Sequence, residues 1–196
     1  MPLRIERLTG SAMLPALPAL ARLRISEFLD WPYLYNGSLE YEQKYLKDFA
    51  ASHGAVIVTA SNGDEIVGVS TGVPLVHHQS EFATPFMKAG FDIGRIFYFG
   101  ESVLQPPFRG QGIGHLFFDE REGHARGLGG FTHTTFCGVV RPDDHPARPS
   151  DARPLDTFWI KRGYRKVDGL TATFSWPDVG ELEKTEKRMQ FWIRQL

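Results

Sequence analysis

The stretch Arg95–Leu128 reads R-I-F-Y-F-G-E-S-V-L-Q-P-P-F-R-G-Q-G-I-G-H-L-F-F-D-E-R-E-G-H-A-R-G-L. Its first part, Ile96 to Leu104, is rich in aromatic and β-branched residues and predicts a strand. The next part, Gln105 to Gly114, opens on Pro106-Pro107 and closes on three glycines spaced two apart, Gly110, Gly112 and Gly114. From about Ile113 the pattern predicts a helix that fades at Gly127-Leu128-Gly129-Gly130.

A strand, a glycine-rich turn and a helix N-terminus together make an anion site. Glycines let the backbone take positive φ and bring bare N–H groups close to a ligand. The first N–H groups of the helix lack intrahelical acceptors, and the helix dipole adds about half a positive charge there. A phosphate or pyrophosphate suits such a site, and Arg109 adds a full charge at its lip. The loop is not a Walker A sequence, because no Lys-Ser/Thr pair follows the glycines. It is not a G-x-G-x-x-G dinucleotide fingerprint either. From Gly110 the third glycine is replaced by His115, and from Gly112 by Phe117.

Working outward, Leu3 to Leu8 alternates apolar and charged residues, as a half-buried strand does. Ala12 to Phe28 carries Leu14, Leu17, Leu20 and Leu23 and predicts a helix with Pro15 and Pro18 in its first turns. An aromatic loop, Asp30 to Gly37, leads to Ser38, a candidate N-cap for a second helix. Gly54–Ala60 and Glu65–Val76 predict a hairpin around Asn62-Gly63. His77 to Gly94 is irregular, with a short helix near Phe82–Ala89. After the organising stretch come a strand at Phe131–Val140, a proline-rich loop at Arg141–Pro154, and a short helix at Leu155–Arg162 stopped by Gly163. A strand at Tyr164–Trp176, a last helix from Asp178 and a final strand at Met189–Ile193 complete the pattern. The expectation is an α/β fold, a mixed central sheet with helices on both faces, in a single domain over residues 1–196.

Composition narrows the function. The chain has 196 residues, a formal net charge of -1 and 42% hydrophobic residues. Near-neutral charge gives no support to nucleic-acid binding. One cysteine excludes an intramolecular disulfide and points to a reducing cytoplasm. No apolar run is long enough to span a membrane. His77-His78, His133 and His145 lack a ligand spacing such as H-E-x-x-H, so no metal is expected. Cys137, mid-strand between Phe136 and Gly138, reads as a buried inert thiol more than a nucleophile. The polar loop residues Arg141, Asp143, Asp144, His145 and Arg148 read as substrate or coenzyme contacts or as a solvated loop.

Arg109-Gly110-Gln111-Gly112-Ile113-Gly114, after a strand ending Val103-Leu104-Gln105-Pro106, resembles the acetyl-coenzyme A loop of the GNAT superfamily of N-acetyltransferases, [Q/R]-x-x-G-x-[G/A]. Phe158-Trp159-Ile160-Lys161-Arg162-Gly163-Tyr164 resembles the F-Y-x-K-x-G-F/Y segment of that superfamily, in the expected order. The resemblance implies acetyl-CoA as co-substrate, no metal, and direct transfer to a primary amine in a ternary complex. It places the pantetheine arm along the backbone of Ser102, Val103 and Leu104, and the pyrophosphate on the N–H groups of Arg109 to Gly114. It also implies a base. Glu101 is the candidate, directly or through water, in a strand of Phe97, Tyr98, Phe99, Val103 and Leu104, because an apolar setting pushes a carboxyl toward the range a base needs.

The superfamily's usual acid, a Tyr, is replaced by Trp159, so either Tyr164, Ser150 or a water serves the leaving thiolate or it leaves unaided. That departure keeps open a non-catalytic acyl-CoA-binding or regulatory module. Trp31, Tyr33, Tyr35 and Asn36 offer an aromatic wall for a small amine or an amino-acid-like acceptor, or a covered core. Homodimerisation is common in the superfamily, and Phe191-Trp192-Ile193 could serve it.

Overall fold

The computed structural model describes residues 3–196. β1 (Arg4–Thr9) is followed by a tight 3-10 turn, Gly10–Ala16, and then α1 (Leu17–Leu29). The single helix expected from Ala12 is divided there. A proline lacks the N–H that an interior helical position must donate, and starting the α-helix at Leu17 leaves Pro18 in the first turn, where none is needed. α2 (Leu39–Ala50) starts on Ser38, whose Oγ accepts from the Tyr41 N–H at 3.3 Å.

β2 (Val56–Asn62) and β3 (Glu65–Pro74) form the expected hairpin, with Asn62 opposite Glu65 and Gly63 at φ +61°. α3 (Ser80–Lys88), β4 (Ile96–Leu104), α4 (Ile113–Leu128), β5 (His133–Val139), α5 (Asp156–Lys161), β6 (Arg165–Trp176) and β7 (Thr185–Gln195) complete the chain.

The seven strands make one sheet in the order β1-β2-β3-β4-β5-β7-β6. Only β4 and β5 run parallel, joined through α4. The sheet separates two cores. On one face Leu20, Leu23, Leu46 and Phe49 of α1 and α2 pack on Ile57, Val69 and Val103. On the other, Phe117, Phe118 and Ala125 of α4 pack on Val56, Val58, Phe97 and Phe99. A third cluster joins Phe86 of α3 to Ile96, Tyr98, Phe191 and Ile193.

Two expectations are corrected here. Asp178 begins no helix: it forms an isolated bridge with Tyr35, Gly180 sits at φ +86°, and the final strand runs from Thr185. The charged half of β7 lies beyond Val139, the last residue of β5 to pair with it, so apart from one bond from the Val140 N–H to the Arg188 carbonyl it pairs with β6 and keeps most of its polar side chains exposed. Phe191, Trp192 and Ile193 are buried in the core, so they are not a free surface for dimerisation. Among the described residues no helix is long and apolar enough to cross a membrane, and no cluster of His, Cys, Asp and Glu could hold a metal.

Candidate active site

β4 and β5 pair only at Ile96–His133, Phe97–Thr134 and Tyr98–Thr135. β5 then continues against β7 as far as Val139, while β4 stays with β3 as far as Leu104. The two parallel strands therefore part, and the edge of β4 beyond Tyr98, including Ser102, Val103 and Leu104, faces an open gap. Sheet edges of this kind hold extended ligands by main-chain hydrogen bonds.

The glycine loop lies beyond the end of β4. Gly110 and Gly112 take φ of +76° and +81°, and nothing lies within 4 Å of where a Cβ would stand on either. Gly112 is the N-cap of α4. The N–H groups of Gly110, Gln111, Gly112, Ile113 and Gly114 have no backbone acceptor among the described residues. These features fit an anion cradle. Arg109 departs from the expected free cation. Its Nε donates to the Leu104 carbonyl at 2.9 Å and its Nη2 pairs with Glu27 of α1, tying the loop to that helix. Burial raises the Glu27 carboxyl above its ordinary range, with Arg109 opposing. Gly114 packs against Phe158, 3.4 Å from its would-be Cβ.

A bulge in β4 positions Glu101. The register with β3 shifts between Ser70–Ser102 and Gly72–Phe99, which reverses the alternation of faces. Phe97 and Phe99 point to the α4 core, whereas Val103 packs into the α1 core. Glu101 therefore meets Arg24 of α1. The bulge also leaves two carbonyls that Arg121 of α4 collects, its Nη1 donating to Thr71 O at 3.1 Å and Glu101 O at 3.4 Å, while its Nη2 donates to the Ser102 hydroxyl at 2.9 Å. Arg121 is fully buried between the Phe99 and Phe118 rings, and burial pulls its guanidinium down to about 10.

Glu101 lines a cavity of about 470 Å³ on the α1 face, shared with Tyr33, Tyr35, Tyr45, Tyr98, Trp176 and Cys137. The carboxyl is buried, but its setting is not the apolar one expected. Arg24 pairs through Nη1 with Glu101 and through Nε with Glu42 of α2 at 2.5 Å, while stacking on Phe28 and Tyr45. Burial lowers the Arg24 guanidinium, and Glu101, Tyr45 and Glu42 more than offset that, holding it above its ordinary value. Glu101 Oε1 and Glu42 Oε1 have no hydrogen-bond partner among the described residues.

Arg24 and Glu42 were missed in the sequence. The available signal was a charge on an apolar helical face: Arg24 follows Leu20 and precedes Phe28 by four, and Glu42 precedes Leu46 by four.

The cavity's outer wall is a strap. Tyr33 and Tyr35 lie in the α1–α2 loop, which is clamped to the β6–β7 connection. Arg141 donates to the Pro32 and Tyr33 carbonyls at 2.8 and 2.7 Å and makes a forked pair with Asp178 at 2.6 and 2.8 Å. Lys187 joins Asp178 at 3.2 Å, and Trp176 Nε1 donates to Tyr33 O at 3.0 Å. Arg141 is thus a structural clamp, and Arg148 pairs with Asp143 at 2.5 Å in the exposed loop.

Tyr164 lies elsewhere. It is buried in the α4 core, donating to Glu122 Oε1 at 3.1 Å and bonded to Thr134 Oγ1 at 2.8 Å. Burial, then Glu122, raises its phenol above the ordinary value. Trp159 packs against Phe136 and Trp192. Cys137 lines the cavity with its thiol 3.3 Å from Tyr98 Oη, and burial pushes it up to about 12, so it is not a thiolate at neutral pH.

The profile of the Acetyltransferase (GNAT) family matches residues 20–150. No curated protein sequence matches. Among solved structures, a ribosomal-protein-alanine N-acetyltransferase from Brucella melitensis is similar at TM-score 0.63 and 14% identity, over 99% of this chain and 100% of that one. An acetyltransferase from Thermus thermophilus is similar at TM-score 0.57 and 15% identity, over 100% and 98%. A protein from Salmonella typhimurium, assigned as an acetyltransferase and solved with its cofactor acetyl-CoA, is similar at TM-score 0.61 and 12% identity, over 100% and 95%.

Proposed function

The chain belongs to the GNAT acetyltransferase family, and on that premise we propose that it transfers an acetyl group from acetyl-CoA to the nitrogen of a primary amine, by direct attack in a ternary complex. One observation carries this reading. The gap between β4 and β5 has at its outer end glycine-loop N–H groups with no backbone acceptor among the described residues, and beside it the carboxyl-bearing bulge of Glu101, which lines an aromatic cavity.

The roles follow from the geometry. The N–H groups of Gly110 to Gly114, with Arg109 close by, would hold the pyrophosphate, and the free edge of β4 at Ser102 to Leu104 the pantetheine arm. The bound coenzyme supplies an activated thioester. Glu101, held through one oxygen by Arg24 and with the other buried and without a partner among the described residues, serves as the base. A protonated amine has no lone pair to attack with. Glu101 accepts its proton, directly or through a water, the nitrogen forms the new C–N bond, the C–S bond breaks with the electron pair leaving on sulfur, and the second proton shed by the acetylated nitrogen neutralises the thiolate through water. Such base catalysis contributes roughly 10²–10⁴-fold. Tyr164 has no part in the proposed mechanism, because its hydroxyl is committed to Glu122 and Thr134. Cys137 has none either, which supports direct transfer over an acetyl-cysteine route.

The test is thermal unfolding with and without acetyl-CoA, followed by release of free thiol in the presence of amines. At about 100 times its Kd a ligand stabilises by roughly 2.7 kcal/mol. Gly112→Glu should abolish that shift by filling the cradle. Glu101→Gln should keep the shift and lose turnover; full turnover in that variant would remove Glu101 from the mechanism. Trp159 at the usual Tyr position favours a second reading, a coenzyme-binding module without catalysis. Binding without turnover on a broad amine panel would select it.

A further inference from the structure

The cavity beside Glu101 has a composition that discriminates among amines. Its wall is aromatic: Tyr33 and Tyr35 from the strap, Tyr45 from α2, Phe82 from α3, Tyr98 from β4 and Trp176 from β6. Its floor is ionic and already matched in an uneven way. Arg24 is the one guanidinium serving two carboxylates, Glu42 and Glu101, so the cluster carries a formal charge of -1. Each carboxylate keeps one oxygen, Oε1, buried and without a hydrogen-bond partner among the described residues. Buried carboxylate oxygens left in this state accept a cationic donor readily and resist a further anion.

No free basic group among the described residues waits at the floor for an anion. Of the other basic side chains lining the cavity, His78 is held neutral, lowered to about 4 by burial and then by Arg24, and Lys184 is exposed at the rim. Arg141 and Lys187 are both engaged by Asp178.

We propose that the acceptor is a primary amine on a flat apolar body with no carboxylate of its own, an arylalkylamine in chemical class. The inference rests on the acetyl-transfer reading above and goes beyond it by choosing among acceptors. The ammonium approaches the Glu101 carboxylate where it lines the cavity, and the carboxylate holds it before taking its proton. The flat body lies against the aromatic wall, where ring faces favour both apolar contact and the adjacent cation. An α-amino acid with the same body would bring a third carboxylate to an arginine that already serves two. An aliphatic diamine would bury a second charge against tyrosine rings with no carboxylate to meet it. Cavities of this size typically bury most of a small ligand's surface.

The wild-type chain tests this directly. Acetyl-CoA alone is first assayed for a melting shift. Initial rates of thiol release are then compared for 2-phenylethylamine, for phenylalanine, which adds only the carboxylate, and for 1,4-diaminobutane, which lacks the ring. The expected result is a kcat/KM for 2-phenylethylamine at least about tenfold above each of the other two. In Glu42→Gln, which removes one negative charge from the cluster, the preference over phenylalanine should narrow. A melting shift combined with equal or better use of phenylalanine or the diamine would overturn the acceptor class and leave the coenzyme reading intact. So would a melting shift with no thiol release on any of the three. No melting shift would remove the coenzyme reading and this proposal with it.

Discussion

Gly100 is the residue on which the β4 bulge turns, and Gly100→Ala is the sharpest test of how Glu101 is aimed. Its φ is not positive, so alanine meets no backbone strain there. The obstacle is a single atom. A Cβ on Gly100 would stand inside the 3.0 Å that real Cβ atoms keep from other heavy atoms, against Thr71 Oγ1 on β3, whereas the next nearest atom, Thr71 Cβ, is at 3.7 Å. Thr71 is buried and β-branched, so it has few rotamers with which to yield. Overpacking of this kind costs typically about 1–3 kcal/mol. Taking about 2 kcal/mol and roughly 2–4 °C per kcal/mol for a chain of this size, the melting temperature should fall by about 4–8 °C. Thr71→Ala in the same chain removes the obstructing oxygen and leaves ordinary contact, so the double variant should recover most of the loss. The assay is a double-mutant cycle of thermal and urea unfolding on wild type, both single variants and the pair. Turnover should follow the same pattern, because a displacement of about 1 Å at a reacting group can cost roughly 10²-fold. A neutral Gly100→Ala, or a double variant no better than the sum of the singles, would refute the assignment of the bulge to this contact.

Asp178 should make the strap acid-sensitive. Burial raises its carboxyl, but the hydrogen bonds from Arg141 and Lys187 win and hold it below its ordinary 3.8. A carboxyl lowered on folding stabilises the fold above its unfolded value and loses that contribution as pH falls through the folded one. Asp178→Asn should therefore lower the urea midpoint relative to wild type at neutral pH, with the difference shrinking below 3.8. A difference independent of pH would contradict this. Cys137, pushed up to about 12 by burial, should resist iodoacetamide in the folded state near neutral pH, and Cys137→Ala should retain turnover. A roughly tenfold or greater loss in Cys137→Ala would restore the nucleophile reading.

What the sequence carried was local. The strand at Ile96–Leu104, the glycine turn and the helix from Ile113 were legible because each depends on neighbours within a few residues: side-chain alternation, positive φ at Gly110 and Gly112, and a helix start. The Ser38 cap and the Asn62-Gly63 turn are of the same kind. Propensity misread residues 178–184 and the charged half of β7, because that ribbon is made by pairing with β6 and not by its own composition.

The chemistry of the site was decided at long range. Glu101 faces Arg24, 77 residues earlier, only because a bulge reverses the alternation of β4, and the bulge is held by a buried arginine on α4. No periodicity in β4 announces that reversal, since the extra residue is defined by its partner strand. Tyr164, promising in sequence as a phenol beside the Trp159 departure, is drawn into the core by Glu122 and Thr134. The sequence determined by itself that a glycine turn with positive φ precedes a helix in an α/β chain, because backbone conformation is set by nearby residues. The tertiary structure alone decided how Glu101 is aimed and what charge surrounds it, because those depend on elements that only packing brings together.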